Sequence, residues 1–368
     1  MQNETVSYKN VLMFGGAFVA FLIGSGFATG QEVLQYFTAY GYWGLAGAAL
    51  TMVLLIYVGS SFIATGFENK FEKGSDIFKY YCGKKIGIFF DYFSVLFIFL
   101  SFIVMLSGAG ATVHQQYGIP PVIGCVSLGF IAAVTVTFGL NRIIDVIGQV
   151  GPLIIIISVF IGVASIVDNP SGIQEGHALI PELNLTKASP NWFFAAGSYV
   201  GFCMLWLAAF MASMGKMANS RKEAVTGACL GAIMFSLAVI IIAMGLLVNI
   251  EQVAGTQIPS LYLAANISPL FNAVFAIIIM AGIYTTAVPL LWSVSSRFTE
   301  DRTPKFKKLT IGLTIIATLV ALMVDFAALV NVVYVINGYV GIVLLLAMLG
   351  KTCVRMTAGS YESQPEAQ

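Results

Sequence analysis

The run Ile23-Gly24-Ser25-Gly26-Phe27-Ala28-Thr29-Gly30-Gln31-Glu32 interrupts the first long apolar segment of the chain. Glycine weakens a helix interior by about 1 kcal/mol relative to alanine, and an acid held in a hydrocarbon layer is costly. The run therefore predicts a broken helix. Backbone groups freed by unwinding in hydrocarbon cost several kcal/mol each unless protein, water or a ligand satisfies them. The N–H groups that open a second half-helix favour a carboxylate, and the carbonyls that end the first favour a cation. An amino acid offers both charges.

Composition sets the frame for this stretch. The chain has 368 residues, 58% hydrophobic and only 10% charged, against roughly 25% charged in an average globular protein. That balance predicts a polytopic membrane protein. Net charge near zero leaves no basic stripe to neutralise phosphates, so nucleic acid is not an expected partner. Cys82, Cys125, Cys203, Cys229 and Cys353 show no CxxC and no even spacing, and read as packing residues, with no disulfide framework or metal site. The apolar run behind the polar N-terminus is too long for a signal peptide and is expected to stay as an uncleaved first span.

At roughly 20 apolar residues per span, the sequence predicts ten: about 10–39, 43–67, 86–113, 120–140, 143–167, 190–217, 222–248, 269–296, 307–325 and 327–350. Asn141-Arg142 and Asp325-Phe326 mark the two tightest joints. With the N-terminus in the cytoplasm, every one of the 18 Lys and Arg residues except Lys187 falls on the cytoplasmic side, from Lys9 through Arg142 to Arg355. The positive-inside rule thus favours ten spans with both ends inside. The chain reads as one transmembrane domain, with a cytoplasmic tail over 351–368.

The connection at 168–189 divides the spans into five and five, about 10–167 and about 190–350. An odd number per half turns the second half upside down relative to the first, the geometry of an inverted repeat. Span six is the counterpart of span one and contains Ala196-Gly197-Ser198-Tyr199-Val200-Gly201-Phe202. Two glycine-interrupted helices in matching positions predict a solute site built from Gly24, Ser25 and Gly26 together with Gly197, Ser198, Tyr199 and Gly201. The competing reading is that these glycines only permit close helix packing.

Glu32 lies about two turns, roughly 12 Å, before the outer end of span one if the helix is regular. It reads as a proton site, as an outer gate, or as an acid that merely reaches headgroup water. Asp91, Asp145 and Asp325 lie near the membrane surfaces, where solvation explains them. Tyr199, Trp206, Trp292, Tyr334 and Tyr339 are aromatic candidates for a cavity wall, and Tyr199 stands out because it falls within the expected second break. His114 and His177 have no metal-ligand spacing around them, and no HExxH, GxSxG or phosphate-binding loop is present, so no enzyme and no cofactor are expected.

Ile23 to Phe27 resembles the Gly-Ser-Gly-Ile-Phe type of first-helix motif of the amino acid–polyamine–organocation transporter superfamily. Its extension through Glu32 is similar to the YkvI-like family of uncharacterised ten-span bacterial membrane proteins. Motif matching covers residues 22–37, and span count and order match along the whole chain. The resemblance implies a five-plus-five inverted-repeat, all-α fold in a bacterial plasma membrane, with discontinuous helices one and six. It also implies a solute near mid-membrane, facing Gly24, Ser25, Gly26 and Phe27. Where the sixth helix of amino acid permeases often has an aromatic-rich break followed by an acid, this chain has Phe202-Cys203.

The same similarity suggests a sodium site between first-helix carbonyls, with Ile23 first among them, and the hydroxyls of Thr285 and Thr286. The bland alternative is that both threonines bond back to their own helix. No lysine lies inside any span, which leaves sodium rather than a lysine-based proton mechanism as the expected coupling. The sequence thus reads as a sodium-coupled secondary transporter of a small, amino-acid-like solute, with the lipid bilayer as its surroundings and no obligate protein partner. The alternative is an amino-acid-sensing receptor on the same fold, resembling the membrane subunits of spore germination receptors, which binds without transport.

Overall fold

The computed structural model describes the backbone of residues 7–138 and 144–362, and the side chains of 7–138 and 151–354. The Asn141-Arg142 joint and the side chains of Asp145 and Arg355 lie outside the described residues. Among the described residues every regular element is helical. The elements are α1 (Tyr8–Leu22), α2 (Ser25–Thr29), α3 (Gln31–Tyr36), α4 (Tyr42–Asn69), α5 (Asp76–Tyr117), α6 (Pro121–Phe138), α7 (Ile144–Asp168) and α8 (Gly172–Leu179). They continue with α9 (Trp192–Lys216), α10 (Arg221–Val248), α11 (Ile250–Val253), α12 (Pro259–Ile267), α13 (Pro269–Phe298), α14 (Pro304–Met323) and α15 (Phe326–Glu362).

Nine described helices are long and apolar enough to cross a membrane: α4, α5, α6, α7, α9, α10, α13, α14 and α15. The chain is a multi-pass membrane protein. Helix starts follow local chemistry. Asn191, Ser220, Ser268 and Thr303 accept hydrogen bonds from the first free N–H groups of α9, α10, α13 and α14. Proline occupies the opening turn of α13 and α14, where its missing N–H costs nothing.

α4 packs on α9 and α10, α1 packs on α10, and α15 packs on α9 and α5; α5 packs in turn on α13 and α6, and α14 on α6. Lipid gives helices little hydrophobic reason to associate, so close approach falls to small residues. The α1 and α10 backbones meet at Gly15 and Gly231, and those of α9 and α15 at Gly201, Gly338 and Gly341.

Three expectations change. First, the expected break in span six is not there: α9 runs from Trp192 to Lys216 without interruption. Gly197 and Gly201 are four residues apart and share the face that meets α15. A Cβ at Gly201 would collide with the Gly338 carbonyl oxygen, and one at Gly197 would touch Ile342 at 3.6 Å. These glycines serve packing, and the helix keeps its own hydrogen bonds. Second, residues 76–82, expected as a surface connection, are already helical and run into α5 through a bend at Gly83, whose φ is 74°. Third, α15 continues past 351 to Glu362, so the first part of the expected tail is helical.

Candidate functional site

The first span is broken as expected, and twice. α1 ends at Leu22, and Ile23 and Gly24 are extended, with φ/ψ of −80°/101° and −111°/−171°. α2 then makes five residues of helix before Gly30 turns the chain at φ 79°, a left-handed conformation that suits glycine, and α3 begins. The 15 residues of α1 rise about 22 Å, short of a hydrocarbon core of roughly 30 Å. α2 and α3 carry the path onward.

The turn at Gly30 re-aims Glu32. A regular helix would have carried its side chain about a turn and a half beyond Gly26 and away from it. Instead Glu32 opens α3, is 3% exposed, and points back so that its carboxylate fills the space beside Gly26 where a Cβ would stand. The Tyr199 hydroxyl of α9 donates to Glu32 Oε1 at 3.0 Å. The glycine expected to face a solute and the acid expected nearer the outer end of the span therefore lie side by side.

Aromatic rings surround that place. Tyr199 is edge-on to Tyr36 at 5.2 Å between centroids and to Phe202 at 4.9 Å; Phe202 stacks on Tyr334 at 4.9 Å. Trp206 lies 6.1 Å from Tyr334 and 5.7 Å from Phe97. The Trp206 indole N–H is buried with no hydrogen-bond partner. The hydroxyls of Ser25 and Tyr334 neighbour each other, as do those of Ser198 and Tyr36, neither pair meeting full hydrogen-bond geometry. Tyr36 and Phe97 were missed by sequence reasoning, because aromatic residues abound and nothing local marks these two; Phe202 was noted only as part of the span-six run.

At the other end of the break, the Thr286 hydroxyl of α13 lies 3.2 Å from the Ile23 carbonyl oxygen and 3.0 Å from that of Gly282. The Thr285 hydroxyl donates to the Gly282 carbonyl at 3.0 Å. Both threonines thus bond back to their own helix, and Thr286 also bridges to α1. The oxygens gathered there are two carbonyls and two hydroxyls, a donor set that suits a hard cation.

Not every expected residue converges. Gly24, Ser25, Gly26, Ser198 and Tyr199 lie around the Glu32 cluster, and Ile23, Thr285 and Thr286 beside the break. Phe27 instead packs its ring against Phe235 of α10, 5.3 Å between centroids. Gly197 and Gly201 face α15. A cavity of about 990 Å³, walled by α5, the start of α6, the α11–α12 segment, α13 and the α14–α15 junction, has Gln115, Gln257, Asp325 and Phe326 on its lining. The ring of Phe326 and the Cβ of Ser25 both lie against Gly108 of α5, so Phe326 stands between this cavity and the broken segment.

No protein-family model matches the chain. It is 23% identical over 343 residues to the uncharacterised membrane protein YkvI of Bacillus subtilis strain 168, covering 92% of this chain and 95% of the relative. Among solved structures, MhsT in complex with L-phenylalanine superposes with a TM-score of 0.62 at 13% identity, over 94% of this chain and 89% of that one. A Na+-coupled sialic acid symporter in its substrate-bound outward-open state gives a TM-score of 0.55 at 15% identity, over 88% and 72%. The fold is one shared with transporters. The solved structures named here are transporters rather than enzymes, and this chain departs from the expected second break in its unbroken α9.

Proposed function

We propose that the protein is a secondary active transporter of a small, amino-acid-sized solute, driven by sodium and working by alternating access. In this reading α1, α2 and α3 together make the first of ten crossings, in five-plus-five order, with both termini in the cytoplasm. The observation that carries it is the unwound Ile23-Gly24 segment with chemistry at both ends: the Thr286 hydroxyl at the Ile23 carbonyl, and the Tyr199–Glu32 pair at Gly26.

The reading is supported by the likeness to MhsT with bound L-phenylalanine and to a Na+-coupled symporter. Sodium would be held by the carbonyls of Ile23 and Gly282 and the hydroxyls of Thr285 and Thr286. A cation there couples α1 to α13, because it gives the two elements shared ligands that neither supplies alone. The solute would sit by Gly24, Ser25 and Gly26, against Tyr199 and Trp206. Outward closure is carried by α3 and α15: Gln35 donates to the Ala327 carbonyl at 2.9 Å and accepts from Asn331 at 3.0 Å. Inward closure is carried by Glu223 of α10, which accepts from the Ser7 N–H at 3.1 Å and the Asn10 amide at 2.9 Å.

The test is uptake of radiolabelled amino acids and their decarboxylated amines into proteoliposomes, with and without an inward sodium gradient. Sodium-dependent accumulation is expected. Binding without flux would replace the transporter by a receptor, and flux indifferent to sodium would remove the ion site.

A further inference from the structure

We propose that the basic end of the bundle holds one anionic phospholipid, its phosphate between Arg221 and Lys351 and an acyl chain in the groove that α5 and α15 form beside them. No residue of this lining comes from the broken first span. The proposal therefore stands whether or not the protein transports a solute.

Two hollows meet there. A polar pocket of about 350 Å³ opens between α4, α10 and α15, with Ser60, Ser61, Glu68, Arg221, Lys351 and Thr352 on its wall. A groove of about 530 Å³ runs between the first part of α5 and α15, lined by Ile86, Val343, Ala347 and Gly350. Tyr81 and Lys351 belong to both linings, so the polar pocket passes into the apolar groove at these two residues. The bend at Gly83 shapes the groove. It folds residues 76–82 back on the rest of α5, where the Lys79 backbone lies against Gly87 and Phe78 stacks on Phe90 at 5.9 Å between centroids. Tyr80 is thereby set against α15: the Lys351 ammonium donates to its carbonyl and lies 3.5 Å from the centroid of its ring.

Chemistry at the junction selects the phosphate of a lipid. Glu68 takes the Nε donor of Arg221 at 2.8 Å, one of the five donors a guanidinium carries, in a pair 42% and 59% exposed and so of little worth. The terminal nitrogens of a guanidinium suit a phosphate, which they hold by two parallel bonds. Lys84, Lys85 and Lys222 follow closely on lining residues, so the surroundings are positive. Basic pockets between helices at the cytoplasmic surface recognise anionic head groups, and in the orientation proposed above this end meets the anionic cytoplasmic leaflet. Free phosphate would need the polar pocket alone, whereas the groove fits a chain: Ile86 and Val343 on its lining are 53% and 54% exposed. A second copy packed on the groove about a two-fold axis would bring its own basic end against this one, and like charges oppose that.

Native mass spectrometry of the full-length protein, delipidated in detergent and titrated with one lipid at a time, reads both the adduct and the oligomeric state. Dioleoyl phosphatidylglycerol is expected to form its first adduct about fivefold tighter, or more, than dioleoyl phosphatidylcholine, which has the same chains and no net charge. Glycerol 3-phosphate in large excess is expected not to displace it. Lys351→Gln should remove most of the preference for the anionic lipid, and Arg221→Gln serves if that variant does not purify. Gly350→Trp should weaken both lipids, because a Cβ at Gly350 meets nothing within 4 Å and the added ring enters the groove without disturbing a helix contact. The proposal is overturned if the two lipids bind the parent alike, or if Gly350→Trp and the charge variants bind the anionic lipid as the parent does. Displacement by glycerol 3-phosphate would make the pocket a free-phosphate site and overturn it too. So would a dimer that appears on removing lipid and is lost in Gly350→Trp, which would give the groove to a second copy.

Discussion

The first span and α9 both carry glycines spaced by a few residues, yet one is broken and the other is continuous. The difference lies in what faces each glycine. In α9, Gly201 faces backbone: the Gly338 carbonyl of α15 sits where its Cβ would be. In the first span, Gly24 faces the tips of side chains, with Met105 at 3.0 Å and Trp206 at 3.3 Å from a built Cβ, and Gly26 faces the Glu32 carboxylate and the Tyr334 ring. A glycine pressed on a neighbouring backbone holds two helices together. One that faces only side chains beside an unwound backbone carries no such helix-to-helix contact.

Substitutions at these positions separate the two uses. The largest effect is expected for Gly201→Val, which must part α9 from α15. Overpacking of this kind costs about 1–3 kcal/mol or more, so the melting temperature and monodisperse yield in detergent should fall sharply. Unchanged stability would mean the contact at Gly338 is not what holds these helices. Gly26→Leu should leave insertion and topology intact and abolish solute binding in a titration, because its side chain displaces the Glu32 carboxylate and presses on the Tyr334 ring. Retained affinity would make Gly26 another packing residue.

Thr286→Val should come next. It removes one hydroxyl from the oxygen set at Ile23 and Gly282 while keeping shape. An apparent sodium affinity lowered about tenfold, or roughly 1.4 kcal/mol, is expected from uptake measured against sodium concentration. Thr285→Val should do less if its bond to Gly282 is its main contact. The smallest effect is expected for Gln35→Ala, which loses the links from α3 to Ala327 and Asn331 and costs about 1 kcal/mol. Faster hydrogen exchange in α3 and the first turn of α15 would register it.

The same contrast marks what could be read from the sequence. The break at Ile23-Gly24 was legible, because three glycines close together with an amide and an acid oppose a helix by local propensity alone. The meeting of Thr286 with the Ile23 carbonyl was expected from a resemblance and is present as geometry, although the threonines also make the back-bonds of the bland reading. The continuity of α9 was not legible. It depends on Gly338 and Gly341, more than 130 residues away, whose backbone packs on Gly201. Glu32 was separated from Gly26 for a physical reason: it was placed by its distance to the outer end of span one along a regular helix, and the left-handed Gly30 ends that helix and turns the carboxylate back toward Gly26. Of the aromatic cluster, Tyr199, Trp206 and Tyr334 were among the sequence candidates, whereas Phe97 and Phe202 join them only through the packing of three helices.

The central claim is that the broken first span couples a solute to sodium, and uptake by reconstituted protein tests it most directly. With an inward sodium gradient, the labelled solute should accumulate above its outside concentration, and Thr286→Val should demand more sodium for the same rate. Solute that binds to the protein but never crosses, or crosses equally well without sodium, would contradict the account.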